Sequence, residues 1–276
     1  MRAACVIGWP VEHSRSPLIH NYWLKHYGIS GVYRRELVPR EEFASFVRSL
    51  PERGYVGANV TVPHKEAAFA LSEADERASA VGAVNTLWFE GDVLRSTNTD
   101  IEGFLANLDA CVPEWERNGS KAVVLGAGGA ARGVIHGLLA RGLTHIAVTN
   151  RTPARAEAMR QDFGARVRPI RWEEIGTALS DAALLINTTT LGMKGRPALA
   201  IDVARLPDRA IVADLVYVPV LTPLLSAAKS RGLRTADGLG MLLHQAVRGF
   251  ALWFGKEPEV TAELRALVAA DLADPK

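Results

Sequence analysis

Val123-Val124-Leu125-Gly126-Ala127-Gly128-Gly129-Ala130-Ala131 decides the reading of this chain. A short apolar run enters a glycine-rich turn, and a helical pattern leaves it. That order is the strand, tight turn and helix start of a βαβ unit. Gly126 permits the turn, and Gly128 lets an anion approach the backbone. Ala131 takes the third position, which needs only a small residue. Free N–H groups and the helix dipole at such a turn favour a pyrophosphate. The stretch is therefore expected to bind a dinucleotide at this turn.

The next strand indicates which dinucleotide. Units that bind NAD usually carry an acid about twenty residues on, for the ribose 2′-hydroxyl. Here strand Ile146–Asn150 ends in Asn150-Arg151-Thr152, with Arg155 close behind and no acid at the tip. A guanidinium suits a 2′-phosphate through charge and paired hydrogen bonds. NADP is the expected cofactor.

Short apolar runs alternate with helical patterns on both sides of this turn, an α/β arrangement with mostly parallel sheets. Before it lie strands Ala3–Ile7, Gly31–Leu37 and Tyr55–Val60, with strand-like pieces at Ala83–Trp88 and Val93–Thr97. Helices are expected at Glu41–Leu50, at Lys65–Leu71 with Pro63 as its start, and at Ile101–Ala110. Polar, irregular Pro113–Gly119 reads as a linker. After the turn, Ala183–Asn187 and Ile211–Leu215 read as buried strands, and Leu239–Phe254 and Val260–Leu272 as closing helices.

Composition narrows the function. The chain has 276 residues, 48% hydrophobic and 22% charged, the profile of a soluble globular protein of one or two domains. Thirty-two Lys and Arg against thirty Asp and Glu leave a net charge of +2, too small for a nucleic-acid footprint. Cys5 and Cys111 lack any paired spacing, which argues against metal binding or a disulfide framework. No apolar stretch approaches ~18 residues and the N-terminus lacks a signal layout, so a cytoplasmic protein without membrane contact is expected.

Polar clusters follow the strands of the first half: His13-Ser14-Arg15-Ser16, Asn59 to Lys65, Asn85-Thr86 and Asn98-Thr99-Asp100. Strand ends are where open α/β sheets bind ligands. Taken singly, each has a plainer role. Ser14 and Ser16 suit helix caps, Asn59 and Thr61 turns, Lys65 the surface, and Asp100 the cap of the next helix. Together they supply amides, hydroxyls, one ammonium and one carboxylate, which fits a small polyhydroxylated acid. A Lys–Asp pair can handle a proton while a nicotinamide handles a hydride.

These motifs together resemble the shikimate dehydrogenases. The resemblance rests on Ile7 to Pro17, Asn59 to Lys65, Gly82 to Thr86, Asn98 to Asp100, Gly126 to Ala131, Asn150 to Thr152, Asp214 to Pro219 with Thr222-Pro223, and Asp237 to Leu242. It spans nearly the whole chain in one order. It implies NADPH-dependent, reversible reduction of 3-dehydroshikimate to shikimate in aromatic amino-acid biosynthesis. It also implies a discontinuous substrate-binding domain, 1–100 with 239–276, and a Rossmann-like NADP domain, 101–238. Hinge crossings would lie at Asn98–Asp100 and Ala236–Gly240.

By the same resemblance Lys65 is the catalytic lysine and Asp100 its partner. Ser14 and Ser16, aided by Tyr217, hold the substrate carboxylate. Asn59, Thr61, Asn85 and Gln245 read the ring hydroxyls. Asn150, Arg151, Thr152 and Arg155 read the 2′-phosphate, Leu215 and Gly238 line the nicotinamide, and Glu76 lies near the cofactor. Three alternatives stand beside this one: a quinate/shikimate enzyme with broader substrate or NAD use, an aminoshikimate-type relative, and a non-catalytic NADPH-binding protein. Monomer and homodimer are both compatible.

Overall fold

The computed structural model describes residues 1–274. Two compact units divide the chain. One comprises Met1–Gly103 with Leu243–Asp271, the other Phe104–Leu242 with 272–274.

The first unit opens with β1 (Arg2–Gly8), α1 (Ser16–His26), β2 (Gly31–Leu37), α2 (Phe43–Arg48), β3 (Tyr55–Val60) and α3 (Lys65–Leu71). It continues with β4 (Glu73–Ala74), α4 (Glu76–Val81), β5 (Thr86–Glu90) and β6 (Val93–Thr97), after which α5 (Thr99–Cys111) leads into the second unit. The sheet order is β2-β1-β3-β5-β6-β4. Strands β1, β2 and β3 are mutually parallel, whereas β5 runs antiparallel to both β3 and β6. Reversing β5 brings its first residues to the end where β3 and β6 finish.

The second unit contains β7 (Lys121–Leu125), α6 (Gly129–Ala140), β8 (His145–Thr149), α7 (Pro153–Phe163), β9 (Val167–Pro169) and α8 (Ile175–Leu179). It continues with β10 (Leu184–Asn187), β11 (Ile211–Asp214), α9 (Pro223–Ser230) and β12 (Arg234–Ala236). Its sheet is parallel throughout, in the order β12-β11-β10-β7-β8-β9. Reading from β9 inward, this is the 3-2-1-4-5-6 order of a dinucleotide-binding fold, with its switch point between β7 and β10. Valines and isoleucines of β7, β8, β10 and β11 are nearly all buried, as helices on both sheet faces require.

Helix α10 (Gly238–Phe254) returns the chain to the first unit, and α11 (Ala262–Ala273) follows. Within the first unit, Trp253 lies against β3 and β5. Its Nε1–H donates to the Leu87 carbonyl at 2.9 Å. Gly57 makes this possible, because a Cβ there would lie 2.2 Å from Trp253 Nε1. Trp253, Phe250 and Trp23 are fully buried together around His20 and Tyr33.

Several expectations change. Pro113–Gly119 is not a linker. Its Trp115 is buried, donates to Asp109, and lies under the Arg141 guanidinium, so the segment packs into the second unit. The two units meet inside α5 and α10, after Gly103 and after Leu242, within a few residues of Asn98–Asp100 and Ala236–Gly240. Pro63 does not start a helix; it follows a cis bond in a turn, and α3 begins at Lys65. Ala83–Asn85 lie outside β5. The segment expected as helix Glu41–Leu50 is a 3-10 turn, Arg40–Glu42, followed by the short α2.

Candidate active site

In the first unit the site grows from the ends of β3 and β6 and the start of β5. Lys65 is the first residue of α3, and the turn before it is anchored by His64. The His64 ring nitrogen lies 2.8 Å from the Val38 carbonyl, and the ring stacks on Phe43 at 4.4 Å. Burial pushes the His64 pKa below its usual value, so the ring is neutral near pH 7 and serves as an anchor.

Asp100 sits in the first turn of α5. Asn98 Oδ1 accepts its backbone N–H at 3.0 Å, so the capping role belongs to Asn98 and the Asp100 carboxylate is released for other work. One oxygen of that carboxylate receives Lys65 Nζ at 2.5 Å, the other Asn85 Nδ2 at 2.9 Å. Lys65 and Asp100 remain 30% and 27% exposed, so a ligand can reach a pair that the protein holds in place.

Behind this pair the amides are fixed by partners of unambiguous character. Asn85 Oδ1 accepts the Thr99 backbone N–H at 2.9 Å, which turns the Asn85 NH2 toward Asp100. Asn59 Nδ2 donates to the Asn85 carbonyl and to Thr86 Oγ1, both at 3.1 Å, which turns its Oδ1 toward Tyr33. Hydrogen-bond inventory then limits what each offers a ligand. Asn85 keeps one N–H, and Asn59 keeps a lone pair but no donor. Gln245 enters the same cluster through Thr99, with Thr99 Oγ1 3.4 Å from its Oε1.

Ser14 and Ser16 meet at the start of α1, where Ser14 Oγ accepts the Ser16 N–H at 3.3 Å. The Arg35 guanidinium binds the Ser14 carbonyl and holds this loop beside β2. Thr61 packs against Gly8, where a Cβ would come within 2.5 Å of Thr61 Cγ2. Glu76 is exposed at the start of α4, a helix capped by Asp75.

In the second unit, Gly126 has φ +105°, and a Cβ there would lie 2.5 Å from Thr188 Oγ1. That hydroxyl donates to the Leu125 carbonyl at 2.7 Å. The fold itself therefore demands glycine at 126. Gly128 and Gly129 differ: neither has a positive φ, and a Cβ on either would meet nothing within 4 Å. Bare backbone there leaves α6 with an open N-terminus, suited to a phosphate. At the tip of β8, Arg151 and Arg155 are exposed, and among the described residues neither guanidinium has an ion-pair partner. Asn150 Nδ2 donates to the Thr152 carbonyl and closes the turn that carries them. Open backbone and uncompensated arginines fit a dinucleotide with an additional phosphate.

Two residues quoted in the sequence without a role prove structural in this unit. Asn187 and Asp214 are register partners on β10 and β11, and Asn187 Nδ2 donates to Asp214 Oδ1 at 2.9 Å. Thr222 and the Val216 N–H also donate to Asp214, and the Asn187 amide binds Leu191 and Thr189. Burial pushes the Asp214 pKa up against these three donors. One buried node thus shapes both loops at the carboxyl end of the sheet. Leu215 and Tyr217 lie on the second of those loops. Gly238 is pressed against it: a Cβ there would lie 2.3 Å from the Leu215 carbonyl oxygen.

The family model described as the shikimate dehydrogenase substrate binding domain matches residues 6–87. The model for shikimate/quinate 5-dehydrogenase matches residues 111–193, and that for the shikimate 5′-dehydrogenase C-terminal domain matches residues 238–267. A curated shikimate dehydrogenase (NADP(+)) of Rhodopseudomonas palustris is 66% identical over 99% of this chain and 98% of its own. The chain belongs to the shikimate dehydrogenase family.

Solved structures share its fold closely. A Thermus thermophilus shikimate 5-dehydrogenase, solved with NADP(H) and shikimate, superposes with TM-score 0.83 at 35% identity, covering 99% of each chain. A Corynebacterium glutamicum quinate dehydrogenase, solved with NAD, gives TM-score 0.88 at 30% identity over 97% of this chain and 98% of its own. Among the described residues no helix is long and apolar enough to cross a membrane.

The sequence missed the residues behind the Lys65–Asp100 pair. Thr86 and Thr99 stood inside quoted motifs without a role, and Tyr33 stood outside them all. Their only signal is polarity in segments that otherwise read as strand or helix start.

Proposed function

We propose that this protein catalyses the reversible, NADPH-dependent reduction of 3-dehydroshikimate to shikimate, a step of aromatic amino-acid biosynthesis. The observation that carries the reading is the partly exposed Lys65–Asp100 pair, held at 2.5 Å with Asn85 on the other carboxylate oxygen. NADPH, when bound, supplies the hydride that turns the carbonyl carbon into an alcohol carbon.

Negative charge then develops on the former carbonyl oxygen. Lys65 Nζ stabilises that charge and donates the proton that completes the alcohol. Asp100 orients the ammonium and favours its charged form. In the reverse direction Lys65 takes the hydroxyl proton. Ser14, Ser16 and Tyr217 bind the substrate carboxylate, and Asn59, Thr61, Asn85 and Gln245 the ring hydroxyls. Within that set Asn59 accepts and Asn85 donates.

The backbone of Gly126, Ala127, Gly128, Gly129 and Ala130 receives the pyrophosphate. Asn150, Arg151, Thr152 and Arg155 receive the 2′-phosphate. Leu215 and Gly238 flank the nicotinamide, and Glu76 belongs to the cofactor-binding set. Residues 1–100 with 239–276 act as the substrate domain and 101–238 as the cofactor domain. A cytoplasmic monomer or homodimer, without membrane or nucleic-acid partner, completes the reading.

Initial rates of nicotinamide reduction, crossing shikimate and quinate with NADP⁺ and NAD⁺, test it. Strong turnover only with shikimate and NADP⁺ is expected. Comparable rates with quinate or NAD⁺ would keep the chemistry and replace the specificity; no rate in any combination would leave a non-catalytic NADPH-binding protein.

A further inference from the structure

The hydroxyls of Tyr33 and Thr86 occupy places that packing alone does not explain. Both residues are buried, at 2% and 0% exposure. Tyr33 comes from β2 and stacks on His20 at 4.2 Å. Its O–H donates to Asn59 Oδ1 at 2.6 Å. Thr86 opens β5 directly opposite Asn59 in the antiparallel register. Its hydroxyl accepts from Asn59 Nδ2 at 3.1 Å and donates to Asn85 Oδ1 at 3.0 Å.

The bonds run head to tail. Tyr33 donates to Asn59, Asn59 to Thr86, Thr86 to Asn85, and Asn85 to Asp100, whose second oxygen holds Lys65. Every donor faces toward the carboxylate. Bonds arranged this way polarise one another and strengthen the last one. The direction is not arbitrary. The Asn85 carbonyl oxygen can only accept from Asn59, and the Thr99 backbone N–H can only donate to Asn85. With both amides fixed, the Thr86 hydroxyl accepts from Asn59 and donates to Asn85 at 3.0 Å, its contact with Thr99 Oγ1 being longer, at 3.4 Å.

We propose that Tyr33 and Thr86 are positioning residues: their hydroxyls join Asn59 and Asn85 into one directed hydrogen-bond chain that orients Asp100 toward Lys65. Neither touches the reacting atoms. They set which edge of each amide faces outward and hold the carboxylate that holds the lysine. The inference rests on the proposed role of Lys65 and Asp100.

Thr86→Val keeps the volume and removes the hydroxyl, whereas Thr86→Ser keeps the hydroxyl. Expected for Thr86→Val is a fall in kcat with shikimate of roughly ten- to a hundredfold, as for a catalytic group displaced by a fraction of an ångström, with KM for NADP⁺ unchanged. Thr86→Ser should stay within about threefold of the parent, since both hydrogen bonds of the hydroxyl are conserved and only a methyl is lost. A role in packing alone predicts the opposite order, because serine loses the methyl and valine does not. Equal kcat for Thr86→Val and the parent overturns the proposal. Should Thr86→Val fail to fold, Tyr33→Phe breaks the chain at its far end, and an unchanged kcat there overturns it equally.

Side-chain amide NMR separates this from the activity itself. The Asn85 NH2 signals should shift and broaden in Thr86→Val, whatever the substrate. Unperturbed Asn85 signals overturn the positioning role even if shikimate is not the substrate. Perturbed signals in Thr86→Val, together with a parent inactive with shikimate, would instead overturn the proposed reaction and keep the chain.

Discussion

In the first unit, both oxygens of the Asp100 carboxylate are engaged, by Lys65 and by Asn85, and the amides behind them are engaged in turn. In the second, Arg151 and Arg155 stand exposed without an ion-pair partner among the described residues, and Gly128 and Gly129 present bare backbone. The two ends solve different problems. Proton transfer needs a donor and its partner at fixed separation before the substrate arrives, and a closed network provides that. Phosphate binding needs cationic and N–H donors that the protein has not already satisfied. An acid beside Arg151 would compete with the ligand for the same fork of donors. A site can thus be prepared by completing its hydrogen bonds or by leaving them incomplete.

The largest expected effect falls on the closed end. Lys65→Ala should lower kcat by about a thousandfold, within the range of a lost general acid, and change KM little. Steady-state rates with shikimate decide it, and an unchanged kcat would end the contrast by removing Lys65 as proton carrier. Arg151→Ala should act on the open end. KM for NADP⁺ should rise roughly tenfold or more, as for a lost charged hydrogen bond, while kcat and the response to NAD⁺ stay as they were. Equal weakening toward both cofactors would show that Arg151 does not read the 2′-phosphate.

The smallest effect concerns the interior of the first unit. Burial lowers the His20 pKa from 6.5 to about 3. A depressed histidine pKa stabilises the fold above the unfolded value, and that contribution is lost as pH falls from about 6.5 toward 3. The midpoint of urea unfolding should therefore drop over that window, by at most one proton's slope. His20→Phe should drop less steeply than the parent. Parallel pH curves for the two proteins would show that His20 does not titrate in this way.

The features legible in the sequence are the local ones. Gly126 to Ala131 needed only strand, turn and helix in succession. Arg151 and the missing acid needed only a count along one strand. What escaped depends on partners distant in the chain. A five-residue apolar strand reads alike in either direction, so nothing in Thr86–Glu90 announced that β5 is reversed and brings Thr86 opposite Asn59. Strands of two or three residues, such as β4, β9 and β12, are shorter than any period they might display. Pro113–Gly119 read as a linker from its polar residues, but Trp115 packs it down. Tyr33 lies in a strand that the sequence shows, Gly31–Leu37; that its hydroxyl meets Asn59, 26 positions later, is not visible there.

The interrupted first unit also has a consequence for synthesis. Ribosomes release a chain from its N-terminus, at about 5–20 residues per second. The sheet of the second unit is complete once β12 has emerged. The first unit, begun earlier, still lacks Phe250 and Trp253 and the Glu259 carbonyl that Trp23 binds. On the ribosome, then, the older half waits for the younger. When β12 has just cleared the ribosome, the second sheet is finished while Phe250 and Trp253 are still inside the exit tunnel, and the aromatic core of the first unit waits with its last walls missing.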